Sequence, residues 1–225
     1  MSKKVFIGVG HGGSDPGAIA NGFEEADLNL AIALACQAEL VRHGVVVQMS
    51  RTKDEEDTLT QEIAECNAFN PDFAIDIHNN AGGGDGAEVY HGHSDKRDDA
   101  LATNVLEAIK VIGQNSRGLK TKRNSSGTDY FGFIRSIKAP SIIVECAFVD
   151  NKKDLQIIDT AAEQKAMGVA IAKGILKTLG ITYNTQIGAR KLYRVQVGAY
   201  SVKDNAINMQ KKLKAAGFDS MIVYN

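Results

Sequence analysis

Two histidines and two glutamates stand where they could carry hydrolytic chemistry. His11 follows the apolar run 5–9 in a glycine-rich turn, Gly8-Val9-Gly10-His11-Gly12-Gly13-Ser14-Asp15-Pro16-Gly17. His78 ends the alternating run 73–77, Glu145 ends Ile142-Ile143-Val144, and Glu25 opens an amphipathic stretch shortly after the first turn. In α/β proteins ligands collect at the carboxyl ends of strands, and glycines there let backbone approach a bound group. Two imidazoles and one carboxylate make a zinc site with its fourth position open to water. A second carboxylate outside the ligand set then serves as general base. Zinc so held would make a water nucleophilic near neutral pH and polarise a carbonyl, which is metal-assisted amide hydrolysis. By spacing alone, either glutamate can fill either role.

Each residue also has a plainer reading. A histidine at a strand end is commonly just hydrogen-bonded, and Glu25 suits the first turn of a helix. Glu145 is harder to dismiss, because an acid closing an apolar run needs a reason to be there. His91 and His93 form a His-x-His pair that reads first as exposed loop residues, with a second metal site as the alternative. His43 precedes a glycine and reads as a helix cap. The glycine turn lacks the Gly-Lys-Ser/Thr ending of a P-loop, and no acid follows a second strand in the dinucleotide-binding manner. Neither nucleotide nor nucleic acid is an expected partner.

The elements that must position these groups follow from periodicity. Residues 4–9, 45–49, 73–78, 86–90, 130–134 and 141–145 read as strands. Residues 24–43, 58–68, 95–112 and 160–179 carry helical spacing, with acids Glu24, Glu25 and Asp27 in the first turn of the first and Gly44 as its stop. Residues 51–57 read as a charged loop and 113–127 as a mobile one. Strands alternating with helices predict an α/β fold, a mostly parallel twisted sheet with helices on both faces. A catalytic domain is expected over 1–181, a linker over 182–188, and a small βαβ unit over 189–225, with a strand at 191–199, a helix at 203–216 and a strand at 220–223. Three elements in about forty residues bury little surface on their own. The tail is therefore expected to pack on the body, to be a truncated domain, or to be completed by a second copy in a homodimer.

The chain has 225 residues, 44% hydrophobic and 24% charged, an ordinary globular composition. No apolar run is long enough to span a membrane, and no signal sequence precedes the first strand. The expectation is synthesis in the cytoplasm, with release by a holin or by cell lysis. Three widely spaced cysteines read as buried free thiols. The formal net charge of −1 is uneven: seven basic and two acidic residues from Tyr183 onward give +5, leaving −6 on the remainder. Such a tail suits an anionic surface or polymer, and equally a solvated helix face.

The residues resemble a known family. Gly10-His11-Gly12-Gly13-Ser14-Asp15-Pro16-Gly17-Ala18, Glu25-Ala26-Asp27-Leu28-Asn29-Leu30, Ile77-His78-Asn79-Asn80-Ala81 and Val144-Glu145-Cys146-Ala147-Phe148-Val149-Asp150-Asn151 look like the four motifs, in order, of zinc-dependent N-acetylmuramoyl-L-alanine amidases of the type-3 family of autolysins and phage endolysins. The resemblance covers roughly residues 4–180. It implies that His11, Glu25 and His78 bind Zn2+, that Glu145 is the catalytic acid/base, and that the substrate is the muramoyl–L-alanine amide of peptidoglycan. Asn80 and Glu88, expected at the same sheet edge, are candidates for substrate binding, and the loop 113–127 could line the groove. A zinc peptidase cutting within the stem peptide and a non-catalytic wall-binding module are the competing readings. The sequence departs from the family at Glu62, where an arginine is usual, and it lacks the long inserted helix that blocks regulated periplasmic members, which implies an open site. The tail, from Leu192-Tyr193-Arg194-Val195-Gln196-Val197-Gly198-Ala199-Tyr200 on, resembles the first half of a wall-binding SPOR domain.

Overall fold

A computed structural model describes residues 2–93, 96–185 and 197–216. The chain forms two compact units, Met1–Ile187 and Gly188–Asn225. In chain order the first unit contains β1 (Lys4–Val9), β2 (Ile19–Ala20), β3 (Phe23–Glu24), α1 (Glu25–Arg42), β4 (Val46–Met49), α2 (Leu59–Phe69), β5 (Phe73–Asn80) and β6 (Ala87–Tyr90). It continues with α3 (Asp99–Val111), β7 (Ser116–Lys120), α4 (Gly132–Ser136), β8 (Ser141–Phe148), α5 (Lys152–Leu155) and α6 (Ala161–Thr178). The second unit contributes α7 (Lys203–Ala215), with no buried residue.

Six strands make one sheet in the order β4-β1-β5-β8-β6-β7. Strands β4, β1, β5 and β8 are parallel, whereas β6 pairs antiparallel with β8 and parallel with β7. Alternation along each strand divides the core. Val5, Ile7, Val9, Ile75, Ile77, Ile142 and Val144 face α1, α3 and α6, whose Leu28, Ile32, Val105, Ile109, Ile171 and Ile175 complete the larger cluster. Phe6, Ala74 and Ile143 face the other way, onto Cys66 of α2 and Phe133 and Ile134 around α4. The expected α/β sandwich is the fold. Cys36, Cys66 and Cys146 are free and buried. Among the described residues no helix is long and apolar enough to cross a membrane.

Four local expectations are corrected. Residues 130–134 are not a strand: the chain enters α4 at Gly132, because Phe133 and Ile134 must both reach the smaller core. The loop expected at 113–127 contains β7, an edge strand whose mostly exposed side chains leave no apolar alternation to read. The third long helix starts at Asp99 rather than residue 95, since Asp98 turns back to accept the Gly92 N–H at 2.6 Å. Neither His78 nor Glu145 is the last residue of its strand, because β5 and β8 continue pairing to Asn80 and Phe148 after a shift in register. The small hairpin β2–β3 was not foreseen. The strand expected at 220–223 lies outside the described residues, as does 191–196 of the one at 191–199; residues 197–199 carry no regular element. Between β7 and β8 the only helix is the five-residue α4.

Candidate active site

The pleat explains the glycines of the first turn. Gly8 and Gly10 lie on the Phe6 side of β1, facing the same way as Asp76 and His78 of the neighbouring β5. A Cβ at Gly10 would overlap the His78 imidazole, and one at Gly8 would overlap the Glu62 carboxylate. These glycines therefore make room for side chains. His11 itself sits at φ 63°, a left-handed conformation costly for a non-glycine residue. The conformation is held by a two-bond bridge between Gly12 and Asp15, and the Asp15 carboxylate returns to His11 Nδ1 at 2.8 Å.

Glu25, at the start of α1, receives both rings. Its Oε2 is 3.3 Å from His11 Nε2 and its Oε1 is 3.1 Å from His78 Nδ1. The two imidazoles stand edge-to-face with centroids 5.1 Å apart. One ligand atom from each of the three residues lies within 4.8 Å of the others. Backbone N–H groups of Ala18 and Asn79 and the Asn29 amide also donate to Glu25. Burial pushes the Glu25 carboxyl up, but the His11 and His78 hydrogen bonds outweigh it and hold it well below the usual range. Glu25 raises the His11 imidazole above its ordinary value; burial opposes this and Asp15 adds to it. Burial lowers His78, but the Asp76 and Glu25 carboxylates override it and keep the ring well above its ordinary value.

The far nitrogen of each ring also meets a carboxylate. Asp15 faces His11 Nδ1, and Asp76 lies 3.2 Å from His78 Nε2. Each ring is thus oriented from behind, with its front nitrogen at Glu25. Carboxylate-backed imidazoles are the usual support of metal-binding histidines, and two nitrogens plus one oxygen suit zinc. The residues fit a zinc ion.

Glu145 pairs in register with His78 on one side and Glu88 on the other. It shares the sheet face of Ile143, the face that carries His78. Burial pushes its carboxyl up to about 7; the His78 charge opposes this, while Glu25, Asp76 and Glu88 add to it. Glu88 is 3% exposed, and both its oxygens are taken. Asn80 and Tyr90 donate to Oε1, and Arg117 at 2.7 Å and Lys120 to Oε2. Asn80 is thereby turned toward Glu88, its own Oδ1 accepting from Ala81 N–H. His91 is buried rather than exposed, because Asp98 and Asp99 at the start of α3 close over it.

Two supporting residues, Arg51 and Asp76, escaped the sequence reading, and Glu62 entered it only as a departure from the family. Arg51, expected in a charged loop, is 2% exposed. It donates to the carbonyls of Val9, Gly10, Lys53 and Ala26, tying the first turn to α1. Asp76 could have been found, since period-two alternation puts it on the face of His78. Glu62 is buried beside Asp76, and burial together with the Asp76 and Asp57 charges pushes its carboxyl well up. A cleft of about 290 Å³ opens here, lined by His11, Asp57, Glu62, His78, Phe131 and Phe133 among others.

Comparison with known proteins agrees with this geometry. The family model described as N-acetylmuramoyl-L-alanine amidase matches residues 5–177, and that of the SPOR domain matches residues 171–224. N-acetylmuramoyl-L-alanine amidase CwlM of Bacillus licheniformis is 35% identical over 98% of this chain and 85% of its own length. The sporulation-specific N-acetylmuramoyl-L-alanine amidase of Bacillus subtilis (strain 168) is 33% identical over 98% and 84%. The solved N-acetylmuramoyl-L-alanine amidase AmiC2 of Nostoc punctiforme superposes with a TM-score of 0.72 at 31% identity, covering 79% of this chain and 97% of that one. The fold, the converging His–Glu–His cluster and these matches together place the chain in the N-acetylmuramoyl-L-alanine amidase family, whose reaction is hydrolysis of a peptidoglycan amide bond.

Proposed function

We propose that the reaction is zinc-dependent, with His11, Glu25 and His78 holding the ion and Glu145 acting as acid/base on the amide between N-acetylmuramic acid and L-alanine. The observation that carries this reading is the convergence of His11 Nε2 and His78 Nδ1 on one Glu25 carboxylate, with each ring backed by its own acid. When bound, such an ion polarises the scissile carbonyl and activates water. With the ion in place, His11 Nδ1–H would donate to Asp15 and His78 Nε2–H to Asp76, leaving a lone pair on each front nitrogen for the metal. A carboxyl titrating at about 7 can both take and return a proton at neutral pH. Glu145 takes the proton of the attacking water and delivers it to the departing alanine nitrogen, so that the C–N bond breaks to a lactyl carboxylate and a free amine.

One wall preparation tests the reading. Metal analysis should find zinc in the protein as isolated, chelation should abolish wall lysis, and mass spectrometry should show intact stem peptides with new N-terminal alanine. Full activity after complete metal removal would end the zinc assignment, and shortened stems would replace the amidase by a peptidase.

A further inference from the structure

A second cluster of ligand-type side chains lies apart from the first. His91 follows the last residue of β6, while Asp98 is the N-cap and Asp99 the first residue of α3. One ligand atom from each lies within 4.8 Å of the other two. His91 is 8% exposed, yet its Nδ1 makes no hydrogen bond. That nitrogen lies 3.1 Å from Asp99 Oδ1 and 3.8 Å from Asp98 Oδ1. Asp99 Oδ1 is likewise buried without a hydrogen-bond partner. The His91 nitrogen is thus ion-paired with two carboxylates yet hydrogen-bonded to neither, an arrangement that a cation between them would complete.

The local backbone is built to hold this arrangement. An aspartate at a helix N-cap ordinarily bonds the N–H groups of the first turn. Asp98 makes no such cap bond; its Oδ2 reaches back to Gly92 N–H, which turns Oδ1 toward His91. His91 N–H is fixed to the Lys120 carbonyl of β7 at 3.0 Å. Lys96 pairs with Oδ2 of Asp99, at 3.5 Å, on the side away from His91's partner Oδ1.

We propose that His91, Asp98 and Asp99 form a second divalent-cation site, binding through one imidazole nitrogen and two carboxylate oxygens. Two carboxylates neutralise a doubly charged ion, and the mixed nitrogen–oxygen set suits Zn2+ or Mn2+, with water completing the shell. The site is separate from the His–Glu–His cluster: β6 runs antiparallel to β8, and His91 is three residues past Glu88, about 10 Å along the strand at ~3.3 Å per residue. Its ion would clip the end of β6 to the first turn of α3. The role is structural; the total of two ions rests on the zinc reading of the first site, whereas the ion lost with His91→Ala does not.

Ion counting tests it on the full-length chain. After metal stripping and equilibrium dialysis against Zn2+ or Mn2+, wild type should retain two ions, His91→Ala one, His78→Ala one, and the double variant none. His91→Ala and Asp99→Asn should still release stem peptides from wall fragments. Zinc should raise the melting temperature of His78→Ala but not of His78→Ala/His91→Ala. Should His91→Ala unfold, Asp99→Asn provides the same count with the imidazole in place. Two ions retained in both His91→Ala and Asp99→Asn, or one in wild type that is lost with His78→Ala alone, would reduce the cluster to an imidazolium–carboxylate ion pair and overturn the proposal.

Discussion

Glu145 is where stability and chemistry pull apart. A carboxyl that titrates at about 7 in the fold, against an ordinary 4.5, binds its proton more tightly in the folded chain than in the unfolded one. Its contribution is therefore present at low pH and is lost as pH rises from 4.5 through about 7. At pH 8, Glu145→Gln should stabilise the metal-free protein by up to about 3.5 kcal/mol, on the scale of 1.4 kcal/mol per pKa unit, as read from urea denaturation. The same variant should lose at least a thousandfold in turnover while keeping its metal. The wild-type rate should rise with pH through about 7, because the attacking water needs the ionised carboxylate. An unchanged profile for the glutamine variant would remove Glu145 from the proton path. Asp76 makes the complementary case: Asp76→Asn leaves the His78 ring without its anionic support and should weaken metal binding 10–100-fold, measured by chelator competition; wild-type affinity would reduce Asp76 to packing. Residue type and placement near the ends of apolar runs were enough to single out His11, Glu25 and His78, which the structure brings together, and to mark Glu145 on the neighbouring strand. The division of roles between the two glutamates was not legible there, because spacing says nothing of which carboxylate meets both rings.

Elements were legible where they bury a face. The strands of the sheet centre and helices α1, α3 and α6 show their periods because each packs a continuous apolar stripe into the larger core. Strand β7 was invisible, since an edge strand paired through backbone needs no apolar alternation. The Tyr130–Phe131–Gly132–Phe133 stretch misled because aromatic residues favour strands in general, whereas here tertiary packing of Phe133 and Ile134 decides for α4. Arg51 was hidden for another reason: a charge in a polar loop reads as solvated, yet this one lies under the turn that it holds. Arg51→Met should fill part of the volume but leave the Val9 and Ala26 carbonyls without their donor. At about 1–3 kcal/mol per orphaned group, the loss should be roughly 3 kcal/mol in urea denaturation. Metal affinity should fall with it, because the Gly10 carbonyl beside His11 then keeps the Asn29 amide but loses the guanidinium. A variant equally stable but weak in metal would show that Arg51 orders the turn without supporting the fold.

At the scale of the molecule, charge and the SPOR match bear on the same question. The stretch from Tyr183 onward carries +5 against −6 elsewhere, and the SPOR domain model covers residues 171–224. Residues 171–177 also belong to the amidase match and lie in α6, whose Ile171 and Ile175 are core. A cut must therefore fall beyond α6, and also beyond Tyr183, whose ring stacks on His43 with centroids 5.0 Å apart. A chain ending at Thr185 keeps all of these contacts. It should release stem peptides from soluble muropeptides at the full-length rate, since every residue of the His–Glu–His cluster and Glu145 is retained. On insoluble wall it should sediment less, and the deficit should shrink as salt is raised, because interactions of a basic segment with an anionic polymer are screened beyond about 10 Å at 0.1 M. Equal co-sedimentation of the two chains at low salt would show that the amidase fold alone finds the wall; a deficit that persists at 1 M salt would point to shape-specific glycan binding rather than charge.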